Sequence, residues 1–178
     1  MKNGNAESLD GHELQFWPLT EFEQGTLYSL LSESYAGLIE AVPQYAEMLQ
    51  RQWQETDTFA FSMKDTPIAE CFFVTCSHKT PIGMGSIDPR NLPTSASIGQ
   101  NCLLPAYRGR GYGTRQLHEM LRRLRQRRAS RIVVVTSHHP FFLPAQRMYQ
   151  SNGFRETRRF PGNFAECIQY ELTHADDI

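Results

Sequence analysis

Seven consecutive residues, Arg108-Gly109-Arg110-Gly111-Tyr112-Gly113-Thr114, carry the densest chemistry in the sequence. Glycine at every second position lets the backbone take positive φ and lets a ligand approach it with no Cβ in the way. If the loop feeds a helix, the first N–H groups of that helix have no partner within it, and the helix dipole adds partial positive charge. That is the chemistry of an anion cradle, suited to phosphate or pyrophosphate. The flanking residues supply the elements it needs. Ser97–Leu103 reads as a strand, ended by Pro105, which has no N–H for a ladder. Behind the loop, Leu117, Met120, Leu121 and Leu124 fall at i, i+3, i+4 and i+7, the apolar stripe of a helix.

Two familiar phosphate loops are excluded by their own requirements. The Walker pattern needs Gly-Lys-Ser/Thr, and no lysine lies near. The dinucleotide fingerprint Gly-x-Gly-x-x-Gly fails at Thr114, and the following strand, Arg131-Ile132-Val133-Val134-Val135, brings no acidic residue. What remains, Arg108-x-x-Gly111-x-Gly113 preceded by Leu103-Leu104-Pro105-Ala106-Tyr107, resembles the pyrophosphate loop of the GNAT superfamily of acyl-CoA-dependent N-acyltransferases. A second stretch, Pro144–Phe154, is similar to that family's other cofactor segment. Ala145, the pair Met148-Tyr149 and Gly153-Phe154 match it. Phe142 stands where members commonly place an asparagine, and Ser137–Leu143 is longer and more aromatic than usual.

The resemblance implies an α/β (α+β) fold: a mixed, mostly antiparallel sheet of six or seven strands flanked by helices on both faces. It implies acetyl-CoA as acyl donor and a primary amine, on a small molecule or a peptide, as acceptor, with direct attack of the amine on the acyl carbonyl. The backbone of Leu103 and Leu104, on a strand splayed from its neighbour, would hold the pantetheine arm. The N–H groups of Arg108, Gly109, Arg110, Gly111, Tyr112, Gly113 and Thr114 would hold the pyrophosphate, with Arg108 and Arg110 adding charge. Tyr149 would sit by the thioester sulfur as general acid, since a phenol with a pKa near 10 stays protonated at neutral pH. Many relatives place a basic carboxylate on the strand before the loop, but Ile98–Leu104 contains none. Gln100 and Asn101 can bond a substrate without taking its proton. The candidates for base are His138, whose ordinary pKa of about 6.5 suits the task, Asp88, and a water chain to bulk solvent.

Length and composition bound the rest. The 178 residues are read as one domain, 1–178, with the first eleven, all but three of them polar or glycine, expected to fray. Hydrophobic residues make up 40% and charged residues 21%, ordinary for a soluble globular protein. No apolar run approaches the roughly 20 residues a bilayer span needs, and no signal-peptide core is present. A cytoplasmic protein with no membrane partner is the expectation; a homodimer is left open. Cys71, Cys76, Cys102 and Cys167 lack Cys-x-x-Cys spacing and read as buried reduced thiols. His138-His139 has no further ligand cluster around it, so no metal is expected. Phe141 and Phe142 read as core or interface residues.

A net charge of −1 hides an asymmetry. From Pro105 to Phe160 thirteen arginines face two acids, Glu119 and Glu156, a balance of +11, and the remainder carries −12. The acidic remainder suggests an acceptor that is cationic in solution, with Glu33, Glu40 and Glu47 lining its approach. Arg122, Arg123, Arg125, Arg127 and Arg128 read as a solvated helix face that also attracts the cofactor's 3′-phosphate. A nucleic-acid surface would interleave stacking aromatics with them, and none do so. Two rival functions stand beside the enzyme: an acyl-CoA-binding module without turnover, suggested by the missing acid and Phe142, and a nucleic-acid-binding protein, suggested by the arginine helix.

In order, the chain predicts a strand at Glu13–Trp17 and a helix over about Thr20–Leu38 with Thr20 and Glu23 as a capping box. Pro43 then opens a helix with Tyr45, Met48, Leu49 and Trp53 inward. Strands follow near Thr58–Ser62, Ile68–Ser77 and Pro81–Ile87, with Lys79-Thr80 as the turn between the last two. After the loop and its helix, Arg131–Val135 reads as a strand buried on both faces. A short helix with Pro144 near its start ends at Asn152-Gly153, and strands at Phe154–Phe160 and Phe164–Thr173 close the chain.

Overall fold

A computed structural model describes residues 14–173; the fraying expected of the first eleven residues, and Glu13 of the first strand, lie outside them. The strands are β1 Leu14–Pro18, β2 Phe72–Ser77, β3 Thr80–Asp88, β4 Ala96–Leu103, β5 Arg131–Ser137, β6 Arg155–Phe160 and β7 Cys167–Thr173. They form one mixed sheet of seven strands in the order β1-β2-β3-β4-β5-β7-β6, within the expected range. All neighbours are antiparallel except β4 and β5. The helices are α1 Thr26–Ser34, α2 Ala36–Ala41, α3 Ala46–Ser62, α4 Tyr112–Gln126 and α5 Leu143–Ser151. Both α1 and α4 pack on β3 and β4. The stripe read on α4 is buried throughout, from Leu117 to Leu124.

One seam in the sheet positions everything that follows. β4 and β5 pair only where Ala96–Ile98 meets Ile132–Val134. Beyond that, β4 stays with β3 as far as Leu103 and β5 stays with β7 as far as Ser137, so the two strands part. Backbone groups on the facing edges lose their ladder partners there, and a cleft lined by both strands and by α5 opens between them.

Several local expectations give way to tertiary contacts. Thr58–Ser62 is the last turn of α3 and not a strand. Its β-branched and aromatic residues favour a strand locally, but Leu49, Trp53, Asp57, Ala60 and Phe61 are the buried residues of α3, spaced along one helical face. The helix expected over Thr20–Leu38 is a short 3-10 turn at Leu19–Glu21, then α1, a break at Tyr35 and α2. Thr20 and Glu23 form no capping box. Instead α1 starts at Gly25, whose φ of 99° disfavours other residues. Its N–H groups bond the buried carboxylate of Asp57, thirty residues away: Gly25 to Oδ2 at 2.8 Å, Leu27 and Tyr28 to Oδ1 at 3.0 and 3.2 Å.

The strand expected from Ile68 begins only at Phe72, because Pro67–Cys71 is a 3-10 helix whose cap, Thr66 Oγ1, accepts from the Ile68 N–H. β5 is not buried on both faces. Ile132 and Val134 are buried, while Val135 is 46% exposed where it lines the cleft. Among the cysteines, three are buried, Cys167 is half-buried, and all four are free thiols. Pro144 and Asn152-Gly153 bracket α5 as expected, with Gly153 at φ 86°.

Candidate active site

The cleft between β4 and β5 holds two adjoining cavities. One, of about 360 Å³, is lined by the glycine loop, Asn101–Leu103 on β4, and Pro144, Ala145 and Met148 on α5. The other, of about 270 Å³, lies away from the loop, against Gly99–Asn101, Val135–Ser137, Tyr149, Leu49, Trp53 and Phe164. Tyr35, Asn101, Phe142 and Ala145 line both and so mark the junction.

The loop meets the physical requirements of an anion cradle. Gly109 and Gly111 hold φ of 74° and 77°, and a Cβ built on either would meet nothing within 4 Å. Gly111 is the N-cap of α4, and no described side chain caps the helix. The first bond of the helix runs from Arg115 N–H to Gly111 C=O at 3.1 Å, so the N–H groups of Gly109–Thr114 lie ahead of it, at the positive end of the dipole. Gly113 is helical, and a Cβ there would sit 3.4 Å from Met148 Sδ at the cavity wall. Gly109, Gly111, Gly113 and Thr114 line the cavity. Tyr112 is buried instead with Leu14, Ile82 and Leu103, and Arg110 is exposed with its guanidinium 5.8 Å from the Tyr107 ring.

Arg108 is a brace more than a free charge. Its N–H bonds Pro105 C=O at 3.2 Å, which takes it out of the expected cradle. Its side chain donates to the carbonyls of Leu103 and of Ser34, the last residue of α1, and lies over the Phe141 ring. A cation at a helix C-terminus is favoured by the dipole, so Arg108 ties α1 to the loop.

The two leucines separate. Leu104 donates to Ile82 C=O at 2.8 Å and accepts from Tyr107 N–H at 3.0 Å, so both its backbone groups are spent and it lines neither cavity. Alternation along an antiparallel strand then turns the backbone of Leu103 toward the cleft, where its C=O already accepts from Arg108 Nε at 3.0 Å and its N–H is the open group. Leu103 stays in the site and Leu104 leaves it.

Tyr149 stands at the junction side of the second cavity, 4% exposed. Its ring packs against Phe154 and Tyr170. Its hydroxyl accepts a hydrogen bond from Asn101 Nδ2 at 3.1 Å. Burial pushes the phenol pKa up to about 12, against a smaller lowering by the Asn101 bond. Asn101 is fixed in turn by Gln116, whose Nε2 donates to Asn101 Oδ1 at 2.7 Å and to the carbonyls of Met84 and Cys102, while its Oε1 accepts from the Thr75 hydroxyl. These bonds orient both amides between Thr75 and Tyr149. Because the Tyr149 oxygen accepts, its own proton is left to point elsewhere. Gln116 escaped the sequence reading. The signal was present, since it precedes Met120 by four and shares the buried stripe of α4. Tyr35 escaped too: burial raises its pKa, and it stacks on Trp53 at the cavity junction.

Other expected residues stay outside the cleft. His138 is exposed, lines neither cavity, and is held by its N–H bond to Glu166 C=O at 2.7 Å. Asp88 is tied to Arg90, whose hydrogen bonds hold its carboxyl below the usual range, and it too lines neither cavity. Glu33, Glu40 and Glu47 are exposed and line neither. Arg122 and Arg123 pair with Glu119, and Arg127 pairs with Glu70. The first of these arginines lies ten residues along α4, about 15 Å from its N-terminus at 1.5 Å per residue, so this cluster does not flank the loop. Phe141 and Phe142 do pack on the core, but both also line the cleft.

The model of the Acetyltransferase (GNAT) family matches residues 26–154. No curated protein matches the chain. Solved structures share its fold. The PaiA N-acetyltransferase of Thermoplasma acidophilum, in complex with coenzyme A, superposes with a TM-score of 0.67 at 14% identity, over 91% of this chain and 98% of its own. Ard1 of Thermoplasma volcanium gives 0.67 at 14%, over 92% and 99%. PH1933 of Pyrococcus horikoshii OT3 gives 0.69 at 15%, over 91% and 99%. The family match spans the parted strands, the glycine loop and Tyr149 together, and the chain belongs to the GNAT acetyltransferases, as an acyl-CoA-dependent N-acetyltransferase whose acyl donor is acetyl-CoA.

Proposed function

We propose that this chain acetylates a primary amine by direct attack, with Tyr149 as general acid and the two cavities divided between donor and acceptor. The N–H groups of Gly109–Thr114 hold the pyrophosphate, and the backbone of Leu103 holds the pantetheine arm along the open edge of β4. The reacting carbonyl then lies near Asn101, Tyr35, Phe142 and Ala145, which line both cavities. The amine enters by the cavity away from the loop. Its lone pair forms the new C–N bond, the C–S bond breaks, and the departing sulfur takes the Tyr149 proton. The amine's surplus proton leaves to solvent, from which Tyr149 is reprotonated, so the exchange balances. Among the described residues no carboxylate or imidazole lines either cavity.

One observation carries this reading: the Tyr149 oxygen is engaged as an acceptor by Asn101 Nδ2, which leaves the phenol proton for the cleft. The test is Tyr149→Phe, assayed by mass over an amine panel with acetyl-CoA. Turnover is expected to fall by roughly ten- to ten-thousand-fold, the general-acid range with allowance for solvent as a substitute donor. Coenzyme A affinity is expected to hold. Full turnover in the folded variant would take the acid role from this residue.

A further inference from the structure

We infer that the acceptor is a weakly basic amine carried on an apolar or aromatic group, one that enters the cleft uncharged. The inference rests on reading the cleft as an N-acetylation site and names what that site takes.

The cavity away from the glycine loop is walled by Leu38, Leu49, Trp53, Val135, Phe142 and Phe164. Its polar groups are neutral, and among the described residues no Asp, Glu, Lys, Arg or His lines it. Aromatic walls can hold a cation when their faces are free, but here each of the four rings has one face stacked on a neighbour. Tyr35 stacks on Trp53 with centroids 5.6 Å apart and planes 18° from parallel, and Phe142 stacks on Phe164 at 6.4 Å and 29°. An ammonium entering would surrender its hydration and gain no counter-ion, and a charge so placed loses its proton instead.

Attack needs the neutral amine, and no side chain lining the cavity is suited to make it. The neutral fraction must therefore come with the substrate. A lysine-like amine with pKa about 10.4 is neutral in about one molecule in 2,500 at pH 7, whereas an α-amine at about 7.7–8.0 is neutral in about one in ten. An aromatic amine, its lone pair delocalised into the ring, is almost wholly neutral. The volume, about 270 Å³, lies just below the roughly 300–1,000 Å³ range of small-molecule sites. It takes one ring-sized group, which a small aromatic amine or an aromatic residue at a peptide N-terminus would equally supply.

The test measures kcat/KM for the full chain with acetyl-CoA and five acceptors: 4-methoxyaniline, 2-phenylethylamine, a peptide beginning with phenylalanine, Nα-acetyl-lysine and spermidine. At pH 7 the aniline or the phenylalanine peptide is expected to exceed lysine and spermidine at least a hundredfold, and whichever leads identifies the source. For 2-phenylethylamine, kcat/KM is expected to climb about tenfold per pH unit below its own pKa. Val135→Asp sets a carboxylate on an exposed wall position; it is expected to cut aniline acetylation at least tenfold and leave coenzyme A binding unchanged. A preference for spermidine or lysine, a flat pH profile for 2-phenylethylamine, or coenzyme A binding with none of the five acetylated would overturn the inference. Absent coenzyme A binding by calorimetry, together with no turnover, would overturn the acetylation reading beneath it.

Discussion

Replacing Gln116 with methionine isolates the chain of bonds that aims Tyr149. The side chains are alike in length and unbranched, so the buried space stays filled while the amide is lost. Two groups lose their partner, the Thr75 hydroxyl and Asn101 Oδ1. The carbonyls of Met84 and Cys102 lie at a paired position of the β3–β4 ladder and lose only a second donor. At about 1–3 kcal/mol for each buried group left unsatisfied, less what the thioether recovers by burial, the cost is about 2–4 kcal/mol. For a chain of this length that lowers the melting temperature by roughly 4–16 °C. The larger effect is on turnover. With Oδ1 unheld, the Asn101 amide can turn, and Tyr149 loses the donor that leaves its own proton to the cleft. A fall in kcat of roughly ten- to a hundredfold, about 1.4–2.7 kcal/mol, is expected, with coenzyme A affinity within about twofold of the parent. The assay is steady-state acetylation beside calorimetry, below the variant's melting range. Unaltered kcat in the folded variant would refute the claim that Gln116 orients the acid.

Gly111→Glu and Gly113→Glu should each abolish coenzyme A binding by calorimetry, since each sets bulk and like charge where the pyrophosphate approaches the backbone; unchanged affinity in both would remove the loop from the site. Asp57→Ala strips three N–H groups at the start of α1 of their acceptor and should cost about 2–4 kcal/mol by urea unfolding, from the cap and charged hydrogen-bond ranges. Stability should also fall in alkali. Burial raises Tyr149 to about 12 and Cys76 to about 11, so the unfolded chain releases these protons first. The stabilisation is whole below about pH 9 and is lost as pH rises toward 12. Tyr149→Phe should remove about 2–3 kcal/mol of that loss, the linkage of a rise from 10.0 to about 12, and an unchanged loss would contradict the burial argument.

Chemistry that depends on neighbours in the chain is legible in the order of the residues alone. The glycine spacing, Pro105, and the stripe from Leu117 to Leu124 set a strand, a cradle and a helix start within some thirty residues, because backbone freedom and helical period are local properties. Pro144 and Asn152-Gly153 bracket α5 for the same reason. What depends on distant partners is not legible there. Thr58–Ser62 has strand-like composition, yet it is helical because its inward residues continue the buried face of α3. The start of α1 is hidden because its cap, Asp57, comes from thirty residues downstream. Leu103 and Leu104 look alike in sequence, and only the phase of the β3–β4 ladder sends one to the cleft and the other away. The charge balance points to a cationic acceptor, but a sum over the chain cannot say which acids face the cleft, and none of those described lines either of its cavities. The parting of β4 from β5 places Asn101, Tyr149 and the aromatic wall around one space. Sequence marks each as a residue type; their meeting is decided by where two strands cease to pair.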